Sequence, residues 1–489
     1  MSSAPPAVST EPAPSTRRGG WTAMILLIAC AAQFMVVLDV SIVNVALPDM
    51  KASLGLSPAG QQWIVSAYTL GFAGLLLLGG RAADLVGARR TFLVGLGLFT
   101  AASLACGLAA DGATLITARA VQGIGGAILA PATLTLIMTT FTEPRARTRA
   151  MGAWSSVNAV GGATGAVIGG LLTQYAGWRW VFIVNVPIGI AILAAALLYV
   201  SGAHRGHGGL RRLDLPGALS VTVGLTALVY GIISTESSPW ASPKVWGALT
   251  LGILLLAAFA VIESKVAAPL VPLAVLRRRT LAIANLVMIA LGSAMFAMWF
   301  LLSLYVQQVL GFSALKTGMW FLPGCLAVII GTRTSTHLLR RTGPRPLLVT
   351  GMAISTFGFL WLSRIAPGGV FTTDVAAPFV FCALGLGMSM LPVTAAATAG
   401  IDRREAGLVS GLVNTSRQVG GALGLAILAA IAAHTARGHL SPGVQALTAD
   451  YGHAFLCAAV FTACAALGSL LLPGRPATAV PGPTPGGAE

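Results

Sequence analysis

Asp39 lies inside the first long apolar stretch of the chain, Trp21 to Leu47, within Leu38-Asp39-Val40-Ser41-Ile42-Val43-Asn44-Val45-Ala46-Leu47-Pro48. A carboxylate at that depth in lipid costs about 2.5–3.5 kcal/mol even on lenient insertion scales. Three arrangements sustain one: a wet cavity, a paired cation, or a proton that is taken up and released. No other carboxylate is as deep; Asp214, Glu263 and Glu405 stand at the ends of apolar runs.

Arg119 is the second charged residue within an apolar run, in Leu115-Ile116-Thr117-Ala118-Arg119-Ala120-Val121-Gln122-Gly123-Ile124-Gly125-Gly126-Ala127. Arg119, Gln122, Gly123 and Gly126 recur at i, i+3, i+4 and i+7 and so share one helix face. That small, polar face brings a neighbouring helix close and presents a cation to a cavity; the competing reading has Arg119 snorkelling to the nearer interface. Gly161, Gly165 and Gly169 form a GxxxGxxxG face, which permits close backbone contact. Gly80-Arg81-Ala82-Ala83-Asp84-Leu85-Val86-Gly87-Ala88-Arg89-Arg90 reads as a short basic loop, with Gly80 and Gly87 for tight turns and Asp84 placed to pair with an arginine or cap a helix. Arg417, preceded by Asn414-Thr415-Ser416, has two readings, an interfacial anchor or a cavity cation, while Arg333 reads as an anchor.

The elements that carry these residues must cross a membrane. The chain of 489 residues is 56% hydrophobic and 9% charged, against about 25% charged in soluble proteins. Fourteen apolar runs of membrane-crossing length are read at 21–47, 59–80, 91–110, 113–139, 149–172, 181–201, 214–234, 244–263, 280–304, 314–338, 345–366, 374–400, 405–433 and 452–472. The fold class is an all-α membrane protein. With the N-terminus inside, the inner segments hold 21 Lys and Arg and the outer ones 6, so both termini are expected in the cytoplasm. This one-sided placement explains the net charge of +16 and excludes a nucleic-acid partner. Residues 1–20, ending in Arg17-Arg18, are expected to be a disordered cytoplasmic segment without the cleavage pattern of a signal peptide. Residues 473–489, rich in Pro and Gly, are expected to be disordered as well.

The basic stretch after the second span has a partner after the tenth, Leu339-Arg340-Arg341-Thr342-Gly343-Pro344-Arg345. This hint of an internal repeat places a six-helix bundle at 21–201, a second at 280–472, and two extra helices with their linkers at 202–279. The six cysteines all fall in apolar segments without CxxC spacing, and the histidines are few and peripheral, so no metal site and no catalytic pair is expected. No G-x-x-x-x-G-K-[ST] stretch is present to bind a nucleotide.

The stretch Gly80 to Arg90 resembles the signature loop G-x-L-A-D-R-x-G-R-R of the major facilitator superfamily, with Ala82, Leu85 and Ala88 departing from it. Arg119 to Gly125 resembles that superfamily's R-x-x-Q-G-x-G element. Gly161 to Gly170 resembles its antiporter signature, with Ala166 where that pattern has Pro, which implies a less kinked helix. Trp178-Arg179-Trp180-Val181-Phe182-Ile183-Val184-Asn185-Val186-Pro187, the run from Ser410 to Gly424, and Leu38-Asp39 with Asn44 to Pro48 are similar to the 14-span drug:H⁺ antiporters. The resemblance covers all spans and is strongest in the first six.

It implies the major facilitator fold, two six-helix bundles plus two extra central transmembrane helices. It further implies proton-coupled efflux of a drug, antibiotic or other small amphipathic molecule across the cytoplasmic membrane, by a monomer and without a cofactor other than the coupling proton. Asp39 and Arg119 would carry the proton coupling as electrostatic partners. Gly80, Asp84, Gly87, Arg89 and Arg90 would form a conformational latch, and Gly161, Gly165 and Gly169 a packing face. A substrate cavity would draw on Asn44, Gln122, Asn158, Asn285, Trp299, Tyr305, Asn414 and Arg417. Proton-coupled import of a nutrient on the same fold is the alternative, with a non-transporting membrane protein behind it.

Overall fold

The computed structural model describes residues 15–200, 213–266, 269–271, 278–366, 368, 370–401, 406–435 and 444–474. Among them are 14 helices long and apolar enough to cross a membrane. The first six are α1 (Gly20–Leu54), α2 (Pro58–Val86), α3 (Ala88–Gly107), α4 (Gly112–Thr140), α5 (Pro144–Tyr175) and α6 (Trp180–Tyr199). Then come α7 (Leu215–Ser234) and α8 (Pro243–Lys265). The last six are α9 (Arg279–Gln308), α10 (Ala314–Thr342), α11 (Pro344–Leu362), α12 (Thr372–Thr398), α13 (Gly407–Ala432) and α14 (Gln445–Ser469).

Local chemistry sets many of the helix ends. Ser57, Asp111, Asp214, Ser242 and Ser313 cap α2, α4, α7, α8 and α10, each side chain accepting the backbone N–H three residues on. At exposed Asp111, hydrogen bonds from the Thr114 N–H (2.8 Å) and hydroxyl (2.9 Å) hold the carboxyl below the usual carboxylate range. Several helices outrun their apolar cores. Helix continues back to Ser15 ahead of α1, into the segment expected to be disordered; most of that segment, and residues 475–489, lie outside the described residues. Likewise α2 runs on through Asp84 to Val86. The basic loop expected from Gly80 to Arg90 is therefore a turn at Gly87 alone, because Arg81 to Val86 contains no helix breaker. Gly87 has φ 101°, and its counterpart Gly343, between α10 and α11, has φ 77°; both turns need the left-handed freedom of glycine.

Each six-helix set packs on itself: α4 lies against α2 and α3, and α1 against α5; α9 lies against α13 and α14, and α12 against α10 and α11. The pair α7–α8 forms a hairpin outside the two bundles. Leu225, Val229 and Ile233 of α7 pack against Leu70 of α2 and against Ala422 and Ala426 of α13, so α7 covers the seam between the bundles. Only 11% of the apolar window of α8 is buried, which leaves it facing lipid.

The bundles meet along α2–α13 and α5–α10. A Cβ on Gly170 of α5 would lie 2.6 Å from the Ala314 carbonyl oxygen, and one on Gly318 would strike the Ala166 carbonyl. These contacts involve the first turns of α10. Beside them Ser303 of α9 donates to the Asn44 carbonyl (2.8 Å), Gln307 donates to the Val45 carbonyl (3.1 Å), and the Leu315 N–H reaches Gln174 Oε1 (3.4 Å). All of these lie at the helix ends away from the arginine-rich turns. The bundles thus touch at the end opposite the basic face, and α2 and α13 also touch toward the basic face, where Leu77 Cδ2 lies 3.2 Å from where a Cβ on Gly411 would be.

Candidate functional site

Three side chains of the first bundle donate to Asp39, and the glycine face of α5 decides how α1 presents it. A Cβ on Gly165 would sit 2.7 Å from Ser41 Cβ and 3.1 Å from the Leu38 carbonyl, and one on Gly169 2.8 Å from the Ile42 carbonyl. Gly161 stands 3.1 Å, by the same measure, from Val37 Cγ1. Ser41 Oγ ties the two helices by donating to the Gly162 carbonyl at 2.7 Å. With this side of α1 held against α5, Asp39 turns inward and is 0% exposed. Helix α5 runs unbroken from Pro144 to Tyr175, through Ala166.

Arg119 of α4 donates from Nη1 to Asp39 Oδ2 at 2.6 Å, a fully buried ion pair. The same Nη1 donates to Gln122 Oε1 at 2.7 Å, and Nε donates to the Ile64 carbonyl of α2 at 3.2 Å. Gln122 Nε2 donates to Asp39 Oδ1 (2.7 Å) and to Ser103 Oγ of α3 (2.7 Å). Asn185, at the start of the second segment of α6, donates from Nδ2 to Asp39 Oδ1 at 3.1 Å. The Tyr68 ring lies under the guanidinium with its centroid 4.2 Å away, and Phe182 is 5.6 Å away. The carboxylate thus accepts from three donors and the cation rests on a π face, the conditions under which a buried pair survives desolvation. An anionic Asp39 suits every donor around it. A proton on it would remove the charge that holds Arg119 in place.

Sequence reasoning placed Asp39 and Arg119 on separate spans and linked them only through a family resemblance; the fold brings them into contact across 80 residues of chain. It singled out neither Ser103 nor Asn185 as a site residue. Asn185 follows the interruption of α6 at Val184, where Trp180–Ile183 ends and Asn185–Tyr199 begins; an amide at a helix break is the clue that a closer reading had available. Gln122, placed in the cavity from sequence, is instead a fully buried bridge between the two charges.

The other cavity candidates scatter. Asn285 is buried, donating to the Leu281 carbonyl and accepting from Ser416 Oγ at 2.7 Å, so it joins α9 to α13. Tyr305 is buried edge-on against Tyr451 of α14, centroids 5.7 Å apart. Trp299 is half-buried among Phe321 (5.0 Å) and Phe379 (5.4 Å). Asn44 lies at the α1–α9 seam, and the Asn158 side chain lies outside the described residues. Asn414 and Arg417 are half-buried together on α13. Arg333 is exposed, on the α10 face that carries exposed Leu326 and Ile330.

The latch residues form no ion pair. Asp84 is exposed and, although the charge of Arg81 reaches it, makes no ion pair among the described residues; Gly87 rather than Asp84 precedes α3. With the turn cut to one residue, Asp84 stays on the outer side of α2, while the arginines turn to carbonyls. Arg81 donates to the Pro269 carbonyl (2.8 Å) and Arg89 to the Leu197 carbonyl (3.2 Å). Arg90 is exposed, and Gly80 touches only Pro131 Cβ, 3.8 Å from where its own Cβ would be.

Two bundles, a buried charge pair between α1 and α4, and a glycine turn repeated at the same place in each half are joined by a match of residues 29–425 to the model of the Major Facilitator Superfamily. The chain belongs to the major facilitator superfamily. It is 42% identical over 459 residues, 94% of each chain, to a cephamycin export protein of Amycolatopsis lactamdurans. It is 42% identical over 418 residues, 85% of this chain and 82% of the other, to a puromycin resistance protein of Streptomyces alboniger. Among solved structures, a bacterial homologue of the human lysosomal transporter Spinster, captured inward-facing and occupied, superposes with a TM-score of 0.66 at 16% identity, covering 92% of this chain and 96% of that one. This member of the superfamily is a multi-pass membrane transporter with the superfamily's fold and two additional helices.

Proposed function

We propose that the protein exports a drug, an antibiotic or a similar small amphipathic molecule across the cytoplasmic membrane by alternating access, driven by proton entry through Asp39. The basic turns face the cytoplasm on this reading, and the contacts between the bundles at the other end support an inward-facing form. The observation that carries the reading is the caged pair of Asp39 and Arg119. A carboxylate at 0% exposure, held by two amide donors and one cation, is a two-state device: ionised and clamped, or protonated and released from Arg119. The export and resistance proteins that resemble the chain across most of its length support the direction.

In the cycle, a proton from the outer side binds the Asp39 carboxylate and the bond to Arg119 breaks. The bundles rock, the proton leaves to the cytoplasm, and Arg119 closes again on the bare carboxylate. Substrate occupies the inward-facing form and is carried out on the return. The test is proton release from inside-out vesicles, followed with a pH-sensitive dye while a panel of antibiotics and dyes is added. Wild type is expected to release protons on addition of a transported compound and Asp39→Asn to release none. Proton movement that survives the substitution removes Asp39 from the coupling.

A further inference from the structure

Unlike Arg119, Arg417 of α13 meets no carboxylate among the described residues. Its guanidinium donates from Nε (3.3 Å) and Nη2 (2.9 Å) to Asn414 Oδ1 on the preceding turn. Among the described residues the single ion pair is Asp39–Arg119, so the charge on Arg417 is not neutralised. It stands about 16 Å along the helix from Ala406, at 1.5 Å per residue, close to the middle of a hydrocarbon core of about 30 Å. A cation at that depth faces protein or water rather than lipid.

The surroundings identify the space it faces. Ser410, Asn414 and Arg417 recur at i, i+4 and i+7 on one face of α13; Ser410 is exposed and the other two are half-buried. The next residue on that face, Gly421, is closed by the Phe296 ring, 2.8 Å from where its Cβ would lie. The far side of α13, with Val419, Ala422, Leu423 and Ala426, packs against α2 and α7. On the α9 side, Gly292 lies directly on the Arg417 carbonyl. The polar stripe therefore runs inward from exposed Ser410 and stops at Phe296, with Arg417 at its inner end. Asn414 holds one edge of the guanidinium fork, and Nη1 donates to nothing within the described protein.

An oriented cation at the inner end of a stripe that begins at exposed Ser410, without a counter-ion among the described residues, is a site for an arriving anion. We propose that Arg417 receives a planar oxyanion of the exported molecule, a carboxylate above all, with Asn414 as the residue that orients it. This inference rests on the reading of the protein as an exporter and names the substrate class: amphipathic organic acids, bound by charge-assisted hydrogen bonds to the free edge of the guanidinium.

The test is equilibrium binding of 2-naphthoate and its neutral isostere 2-naphthamide to purified full-length protein, for wild type, Arg417→Gln and Arg417→Lys, with thermal unfolding to confirm that each is folded. Wild type is expected to bind the acid at least tenfold more tightly than the amide. Arg417→Gln should bind the two equally, and Arg417→Lys should keep about a threefold preference. Equal affinities in wild type, no binding of either compound, or a preference that survives in Arg417→Gln each overturns the proposal. So does Arg417-dependent binding of phosphatidylglycerol without binding of 2-naphthoate, which would make the anion a lipid headgroup. An Arg417-dependent preference in a protein that shows no proton-linked flux would refute the coupled exporter and leave the anion site standing. Proton-linked flux without the preference would do the reverse.

Discussion

Removing the charge of Asp39 strands a buried cation, and the geometry sets the size of the effect. In Asp39→Asn the Arg119 guanidinium, 1% exposed, loses its counter-ion but keeps the Tyr68 face, the Ile64 carbonyl and Gln122 Oε1. Breaking a buried pair from one side costs about 3–5 kcal/mol. Arg119→Gln costs less, about 1–3 kcal/mol, because Gln122 and Asn185 still donate to the carboxyl, which can also take up a proton. The double variant Asp39→Asn/Arg119→Gln buries two neutral amides able to bond each other, so it should be no worse than Asp39→Asn alone. The coupling is then at least the Arg119→Gln cost, about 1–3 kcal/mol. The assay is unfolding of detergent-purified protein followed with a thiol-reactive fluorophore, since Cys106, Cys325 and Cys382 are buried until the fold opens. Proton-coupled flux should stay lost in the double variant while stability returns. If the two single losses simply add in the double variant, the charges do not interact and the reasoning built on their contact is wrong.

Two other outcomes follow from the packing. Gly165→Ala puts a methyl group 2.7 Å from Ser41 Cβ and should cost about 1–3 kcal/mol by overpacking, whereas Gly162→Ala, with nothing within 4 Å, should stay within about 0.5 kcal/mol of wild type; the same unfolding assay compares them. Gly87→Ala forces an L side chain to φ 101° and should destabilise the α2–α3 turn by about 1–3 kcal/mol, seen as earlier proteolytic cleavage there, while Gly97→Ala in open space should be cut no faster than wild type.

Hydropathy and charge placement made the fourteen spans legible, because crossing a bilayer is a local requirement that each apolar run meets alone. Helix ends were less so. Arg81 to Val86 reads as a polar loop by hydropathy, yet no residue in it breaks a helix, so α2 continues to Gly87. The GxxxGxxxG face of α5 announced a close approach, but the sequence does not say to which helix; the fold sets it against Val37, Ser41 and Ile42 of α1.

Asp39 and Arg119 were recognisable one at a time, since a charge in an apolar run is conspicuous wherever it points. Their contact, the donors Gln122 and Asn185 on the same carboxylate, and Ser103 behind them depend on the rotation and crossing of four helices. That geometry follows from which small residues let which backbones approach. The same rotation moved Gln122 from the expected cavity into the charge network and left Arg417 without a counter-ion among the described residues. The sequence by itself determined a fourteen-helix membrane protein, its expected orientation and its two deepest charges, because lipid imposes those on every segment separately. Only the tertiary structure decided which charge is satisfied and which is left open, because a partner for a buried ion is chosen by packing between segments far apart in the chain.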